Sequence, residues 1–305
     1  MLTSWPSALQ KLSASRMPSL TKRTATIRRL KTLPAFSLEG KTCVVTGAGR
    51  GLGKEFLTAF ALSGAKGACV DRDIASAEGS IKHITAHVAE QWKETYPNDS
   101  LPLLRPYGCD VAVEADVKET WKRIVQDFGK IDCLVTAAGI VDNVAAEEYD
   151  YNRWRKMFDI NLHGSWLFAQ EAGKHMLQQD QGRIKGTITF ISSMSGTICV
   201  RPQKQAAYNA SKAAVTQMMR SLATEWGPQG VRVNSLSPGY MLTDLIKELL
   251  QKEGPEKIEQ WKRDIPLGNL AHPSELQGAI VWMASDAASY LNGSDVVVDG
   301  GYTCW

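Results

Sequence analysis

From residue 40 onward, short apolar runs alternate with longer stretches of helical periodicity, and this alternation limits the fold more than any other feature of the chain. The runs at 42–46, 67–70, 103–109, 131–136, 186–192, 231–235 and 295–298 read as strands. The stretches near 52–64, 73–95, 113–128, 152–179, 206–226 and 273–286 read as the helices between them. Neighbouring parallel strands need a crossover of a dozen or more residues, which these stretches supply. The expectation is a single α/β domain over 39–305: a doubly wound parallel sheet of about seven strands, covered by helices on both faces. A chain of 305 residues, 44% hydrophobic, can bury such a core. Residues 243–264, charged and amphipathic, break the rhythm after the sixth strand. They read as a mobile lid, with a permanently packed helical insertion as the alternative.

The first 38 residues differ from the rest. They hold no Asp or Glu but carry Lys11, Arg16, Lys22, Arg23, Arg28, Arg29 and Lys31 among many Ser and Thr. That is transit-peptide composition, and it leaves two expectations open: import into the mitochondrial matrix, or a cytoplasmic protein with a disordered tail. With much of the basic excess there and a net charge of only +3, the body shows no nucleic-acid stripe. No apolar stretch approaches the roughly 18 residues of a membrane span. Cys43, Cys69, Cys109 and Cys133 fall inside strand-like runs and read as reduced core thiols. His83 and His87 are four apart on a polar helix without an evident third ligand, so no metal site is expected.

Between the first strand and first helix lies Thr46-Gly47-Ala48-Gly49-Arg50-Gly51-Leu52-Gly53. Glycines at 47, 51 and 53 let backbone approach a pyrophosphate at the helix N-terminus, where the dipole and free N–H groups favour an anion. Asp71, ending the next strand, completes the context of a dinucleotide site. Its carboxylate accepts from both ribose hydroxyls and repels a 2′-phosphate, which favours NAD(H); Arg50 and Arg72 leave NADP(H) open. Asp110, at the end of the third strand beside Val111, either bonds the adenine or caps a helix.

Far downstream stands Tyr208-Asn209-Ala210-Ser211-Lys212. Positions i and i+4 share a helix face, so the phenol and the ammonium sit side by side, and the positive charge is expected to favour the phenolate. Such a pair is fit for moving a proton.

Together, Thr46-Gly47-x-x-x-Gly51-x-Gly53, Asn161, a serine ending the fifth strand and Tyr208-x-x-x-Lys212 resemble the short-chain dehydrogenase/reductase family over roughly residues 40 to 305. Pro238-Gly239-x-x-x-Thr243 and Asp299-Gly300-Gly301 extend the likeness. The resemblance implies a Rossmann fold, a nicotinamide cofactor and a homotetramer or homodimer. It implies Tyr208 as acid/base, Lys212 on the nicotinamide ribose, Ser193 on the substrate carbonyl and Asn161 holding a water of the proton relay. It also places Leu52, Ala138, Gly139, Pro238, Gly239 and Thr243 along the cofactor. Ser192, Ser193 and Ser195 compete for the serine role; the Ser-x-x-Gly spacing chooses Ser193, whereas the commonest spacing to the tyrosine would choose Ser195. One departure is Thr136-Ala137-Ala138-Gly139, where the family usually carries Asn-Asn-Ala-Gly; Thr136 is expected to replace part of the lost bracing.

The segments 194–208 and 299–303 are similar to fungal polyol dehydrogenases and ketose reductases, which implies a sugar alcohol such as arabinitol, xylitol, sorbitol or mannitol and its ketose. A ketoreductase of secondary metabolism or a 3-oxoacyl reductase is the enzymatic alternative, since substrate choice lies in 141–151, 197–205 and 243–264. A catalytically idle dinucleotide sensor is the alternative of another class.

Overall fold

A computed structural model describes residues 32–95, 100–180, 182–243 and 255–305. The expected leader up to residue 31 and the interior of the expected lid, 244–254, lie outside the described residues. Seven strands form one sheet: β1 (Thr42–Thr46), β2 (Lys66–Asp71), β3 (Leu104–Gly108), β4 (Cys133–Thr136), β5 (Gly186–Ile191), β6 (Val231–Pro238) and β7 (Asp295–Val298). Every neighbouring pair is parallel, in the order β3-β2-β1-β4-β5-β6-β7. The order reverses between β1 and β4, so a crevice opens at the carboxyl ends of these strands.

The helices are α1 (Gly51–Leu62), α2 (Ile74–Thr95), α3 (Glu114–Phe128), α4 (Tyr151–Phe158), α5 (Gly164–Gln178), α6 (Ala206–Trp226), α7 (Pro255–Asp264) and α8 (Gln277–Ala284). Side chains alternate along each strand, so the sheet feeds two cores. On one face Cys43, Val45, Cys69 and Val135 pack with Phe56 and Phe60 of α1, Ile84 of α2 and Ile280 and Met283 of α8. On the other, Val44, Val70, Leu134, Ile188 and Phe190 meet Trp121 and Ile124 of α3, Phe168 and Met176 of α5 and Val215 and Met219 of α6. Burial on both faces explains why the strands read as unbroken apolar runs. The compact unit spans Leu33–Trp305. Leu38 is fully buried in the first core and its N–H reaches Ser63 O, so ordered packing begins ahead of residue 39.

One element departs from the sequence reading. The helix expected over 152–179 is split by a π-turn at Asp159–His163. Asp150 caps the first half by accepting from the N–H groups of Asn152 and Arg153, and the second half starts at Gly164. A Cβ on Gly164 would lie 2.7 Å from Val111 Cγ2, so only glycine lets the turn close onto that loop. Of the expected lid, the described end is α7, whose Trp261 is fully buried and stacks on Tyr240 at 4.4 Å and 18°.

Candidate active site

The crevice is floored by the turn after β1. Gly47 and Gly51 have φ of +65° and +57°. A Cβ on Gly47 would stand 2.7 Å from Ala138 Cα, and one on Gly53 would collide with the Gly47 carbonyl oxygen, so both positions require glycine for close packing. At Gly51 a Cβ would meet nothing within 4 Å, so the mouth of α1 is open. Arg50, the N-cap, makes no side-chain capping bond, and the first turn of α1 holds no acid. Its leading N–H groups therefore remain for an external anion, which is the donor set a pyrophosphate requires.

Asp71 ends β2 facing this turn. Its Oδ2 accepts from the Gly49 N–H at 2.9 Å and its Oδ1 from the Asp73 N–H at 3.1 Å. The carboxylate is thus oriented by backbone, with lone pairs left to accept from two hydroxyls. Arg50 and Arg72 are exposed. Arg72 helps hold the Asp73 carboxyl below its ordinary range, after the larger effect of the Ser76 hydroxyl. Asp110 Oδ1 accepts from the Ala112 N–H at 3.0 Å, closing a turn, while the N-cap of α3 is Val113. Asp110 therefore shapes the loop that carries Val111 and does not cap the helix. Ala138 donates its N–H to Thr46 Oγ1 at 3.2 Å, tying the exit of β4 to that of β1. Leu52 packs onto the first core. Across the crevice Pro238 ends β6, Gly239 lies so close to Asp299 that a Cβ would stand 2.6 Å from its Cα, and the Thr243 N–H is held by Met241 O at 2.7 Å.

Helix α6 brings the catalytic candidates together. The Lys212 ammonium lies over the face of the Tyr208 ring, 5.8 Å from its centroid, and donates to Ile191 O at 2.7 Å. Burial lowers the Lys212 pKa to about 8. The Ser193 hydroxyl lies near enough to the Tyr208 phenol to favour its charged form. Burial pushes the Tyr208 pKa above its ordinary value, and the neighbouring Ser193 hydroxyl partly opposes the rise. The expected net lowering by the neighbouring ammonium is not met, because desolvation of the phenolate is the largest effect. The three serines are separated by these contacts. Ser193 faces Tyr208, and its Oγ also accepts from the Ser195 N–H at 3.1 Å. Ser192 points away and bonds Thr216 Oγ1 at 2.7 Å and Lys212 O at 3.1 Å.

Asn161 sits inside the π-turn with no exposed surface. Its Oδ1 accepts from the Ile140 N–H at 2.9 Å, while its Nδ2 donates to Ile140 O at 3.0 Å and to Ser211 Oγ at 3.1 Å. The side chain thus clamps the chain leaving β4 to the helix that carries Tyr208. A Cβ built on Gly139 would lie 3.3 Å from Asn161 Oδ1 and 3.7 Å from Lys212 Nζ, which puts these three residues around one spot. Thr136 offers no bracing in exchange for the absent amide. Its Oγ1 is buried without a hydrogen-bond partner.

Two groups at the rim escaped the sequence reading. Gln203, with its amide turned so that the oxygen accepts from Trp261 Nε1 (3.0 Å) and the Tyr240 hydroxyl (2.6 Å), joins the loop before α6 to α7. The one apolar aromatic in the charged run Glu259–Arg263, Trp261, was the available signal. Asn143 and Gln205 form the second group, through a 2.8 Å bond from Gln205 Nε2 to Asn143 Oδ1. Their separation in sequence hid the pairing.

Comparison with known proteins agrees with this geometry. A family model described as enoyl-(acyl carrier protein) reductase matches residues 47–303. The D-arabinitol 2-dehydrogenase (ribulose-forming) of Candida albicans is 36% identical over 275 residues, covering 90% of this chain and 96% of the relative. A sorbose reductase of the same species is 37% identical over 274 residues, covering 89% and 90%. The crystal structure of a short-chain type dehydrogenase/reductase from Mycobacterium marinum superposes with a TM-score of 0.80 at 36% identity, covering 89% of this chain and 98% of that one. A gluconate 5-dehydrogenase from Burkholderia cenocepacia, solved in complex with NADP and tartrate, superposes with a TM-score of 0.76 at 26% identity over 89% and 98%. The turn at Gly47–Gly53, the Tyr208–Lys212 pair on α6 and these similarities have one common source: the chain belongs to the short-chain dehydrogenase/reductase family.

Proposed function

We propose that the protein interconverts a secondary alcohol and a ketone, with a polyol and its ketose as the pair. The observation that carries this reading is the gathering of the Tyr208 phenol, the Ser193 hydroxyl and the Lys212 ammonium, with Lys212 beside Gly139 on the chain that packs against the Gly47 turn. The fit of the glycine turn to a pyrophosphate supports a nicotinamide cofactor held by Gly47, Gly51, Gly53 and the first N–H groups of α1, with Asp71 toward the adenosine ribose. When bound, that cofactor supplies the hydride acceptor for alcohol oxidation and the donor for ketone reduction.

The protein's own groups handle the proton. In oxidation Tyr208 accepts the substrate hydroxyl proton, and in reduction it returns a proton to the carbonyl oxygen. Ser193 orients that oxygen, and the Lys212 charge stabilises negative charge developing on the phenol. Asn161 keeps the Gly139–Ile140 backbone in place beside the reacting groups. The similarity to arabinitol and sorbose enzymes supports a polyol substrate. Asp71 favours NAD(H), whereas the NADP-bound relative and the exposed Arg50 and Arg72 support NADP(H) as the second reading.

The test is turnover on a panel of polyols and ketoses with either cofactor, wild type against Tyr208→Phe. Expected is activity in the wild type alone, with cofactor-induced thermal stabilisation in both. Equal absence of turnover, with stabilisation retained, would favour the dinucleotide sensor.

A further inference from the structure

The chain leaving β4 is tied within very few residues both to Asn161 and to the segment that leads into α6. At Ile140 it is clamped by the Asn161 amide, and at Asn143 it is bound by Gln205. Three residues span at most roughly 10 Å, so the two clamps lie close together. Val144 adds a bond from its N–H to Lys204 O at 3.0 Å, which fixes the register of this loop against the one before α6. Asp142, between the clamps, accepts from the Tyr149 hydroxyl at 2.5 Å and from Arg153 Nη2 at 2.9 Å. Asn143 is consequently held from both sides.

Gln205 is the N-cap residue of α6, three positions before Tyr208. Its carbonyl accepts from the Asn209 N–H at 2.9 Å, so the cap lies within one helical turn of Tyr208. The cap makes no side-chain bond to its own helix and spends its Nε2 on Asn143 instead. Gln205 Oε1 and Asn143 Nδ2 have no partner among the described residues. One acceptor and one NH2 donor are thereby presented side by side at the rim, which is the complement of a single hydroxyl group, able to donate to one and accept from the other.

We propose that the Asn143–Gln205 amide pair recognises the hydroxyl on the carbon next to the reacting carbon, and so selects vicinal diols over simple secondary alcohols. This rests on the polyol reading above and names the group that makes it selective. The pair binds substrate in ground and transition state alike, so its loss appears in KM while kcat moves little.

The experiment compares kcat/KM for a polyol with that for a monohydroxy secondary alcohol of the same carbon skeleton, in wild type, Gln205→Leu and Gln205→Glu. Leucine removes the acceptor; glutamate keeps it. Expected is a polyol-to-alcohol ratio above one in the wild type, about tenfold lower in Gln205→Leu through a raised polyol KM, and at least partly restored in Gln205→Glu. An unchanged ratio in Gln205→Leu, with the wild type selective for the polyol, overturns the assignment of the amide pair and leaves the polyol reading standing. A wild-type ratio at or below one overturns both.

Discussion

The Lys212 ammonium is held over the ring face of Tyr208 and donates to the Ile191 carbonyl at the end of β5. A cation 5.8 Å from the ring centroid in a buried setting is attracted by the ring, yet its own pKa falls to about 8 because burial disfavours the charged form. The folded protein therefore holds this proton less tightly than the unfolded chain, whose lysine titrates near about 10.4. Below pH 8 both states are protonated and the full penalty, on the order of 3 kcal/mol, is present. As pH rises from about 8 toward about 10.5 the unfolded state binds more protons than the folded one, so stability rises over that window. Lys212→Met should abolish this rise. Denaturant midpoints of both proteins across pH 7 to 10 test it, and parallel curves would show that Lys212 is not desolvated.

The serine assignment leads to a graded series. Ser193 faces the Tyr208 phenol, whereas Ser192 is spent on Thr216 and Lys212 O. Tyr208→Phe should lower kcat/KM by about 10³ or more, and Ser193→Ala by about 10², the range for general acid–base groups and single oxyanion donors. Ser195→Ala should stay within a few-fold. A larger loss at Ser195 than at Ser193 would exchange their roles.

Much of this site is written in local chemistry. The glycine turn is legible because positive φ and close backbone approach leave one residue type possible at 47, and the helix pair 208/212 because one period fixes it. The π-turn was not legible. Phe158, Ile160 and Leu162 suggest an ordinary buried helix face, while the extra residue arises from tertiary contacts: the Asn161 bonds to Ile140 and the approach of Gly164 to Val111. The direction of the Tyr208 shift was missed for a related reason. Sequence shows a neighbouring charge but not how deeply the phenol is desolvated.

At Thr136, the position where relatives of this family usually carry an amide, the hydroxyl is buried without a partner. Thr136 is 2% exposed at the end of β4, between Thr46 and Phe190 in register. Leaving a buried hydroxyl unsatisfied costs about 1–3 kcal/mol, and valine has nearly the same shape without it. Thr136→Val should therefore stabilise the fold by about 1 kcal/mol, read as a higher urea midpoint at unchanged slope. A loss of stability would mean that the hydroxyl has a partner in solution.

Cofactor choice turns on Asp71, whose two oxygens are fixed by the N–H groups of Gly49 and Asp73. A carboxylate so placed accepts from ribose hydroxyls and repels a 2′-phosphate, while Arg50, next to Gly49, and Arg72, next to Asp71 in sequence, are exposed. Replacing the carboxylate with a small hydroxyl removes the repulsion and leaves both guanidiniums free to meet the phosphate. Asp71→Ser should therefore shift the NADPH-to-NADH ratio of kcat/KM at least tenfold toward NADPH, mainly through KM. Because Asp71 also anchors Gly49, some loss with both cofactors is expected, and the ratio rather than either rate is the readout. If the wild type already prefers NADPH and Asp71→Ser leaves the ratio unchanged, the arginines govern selection and the carboxylate serves only to brace the turn.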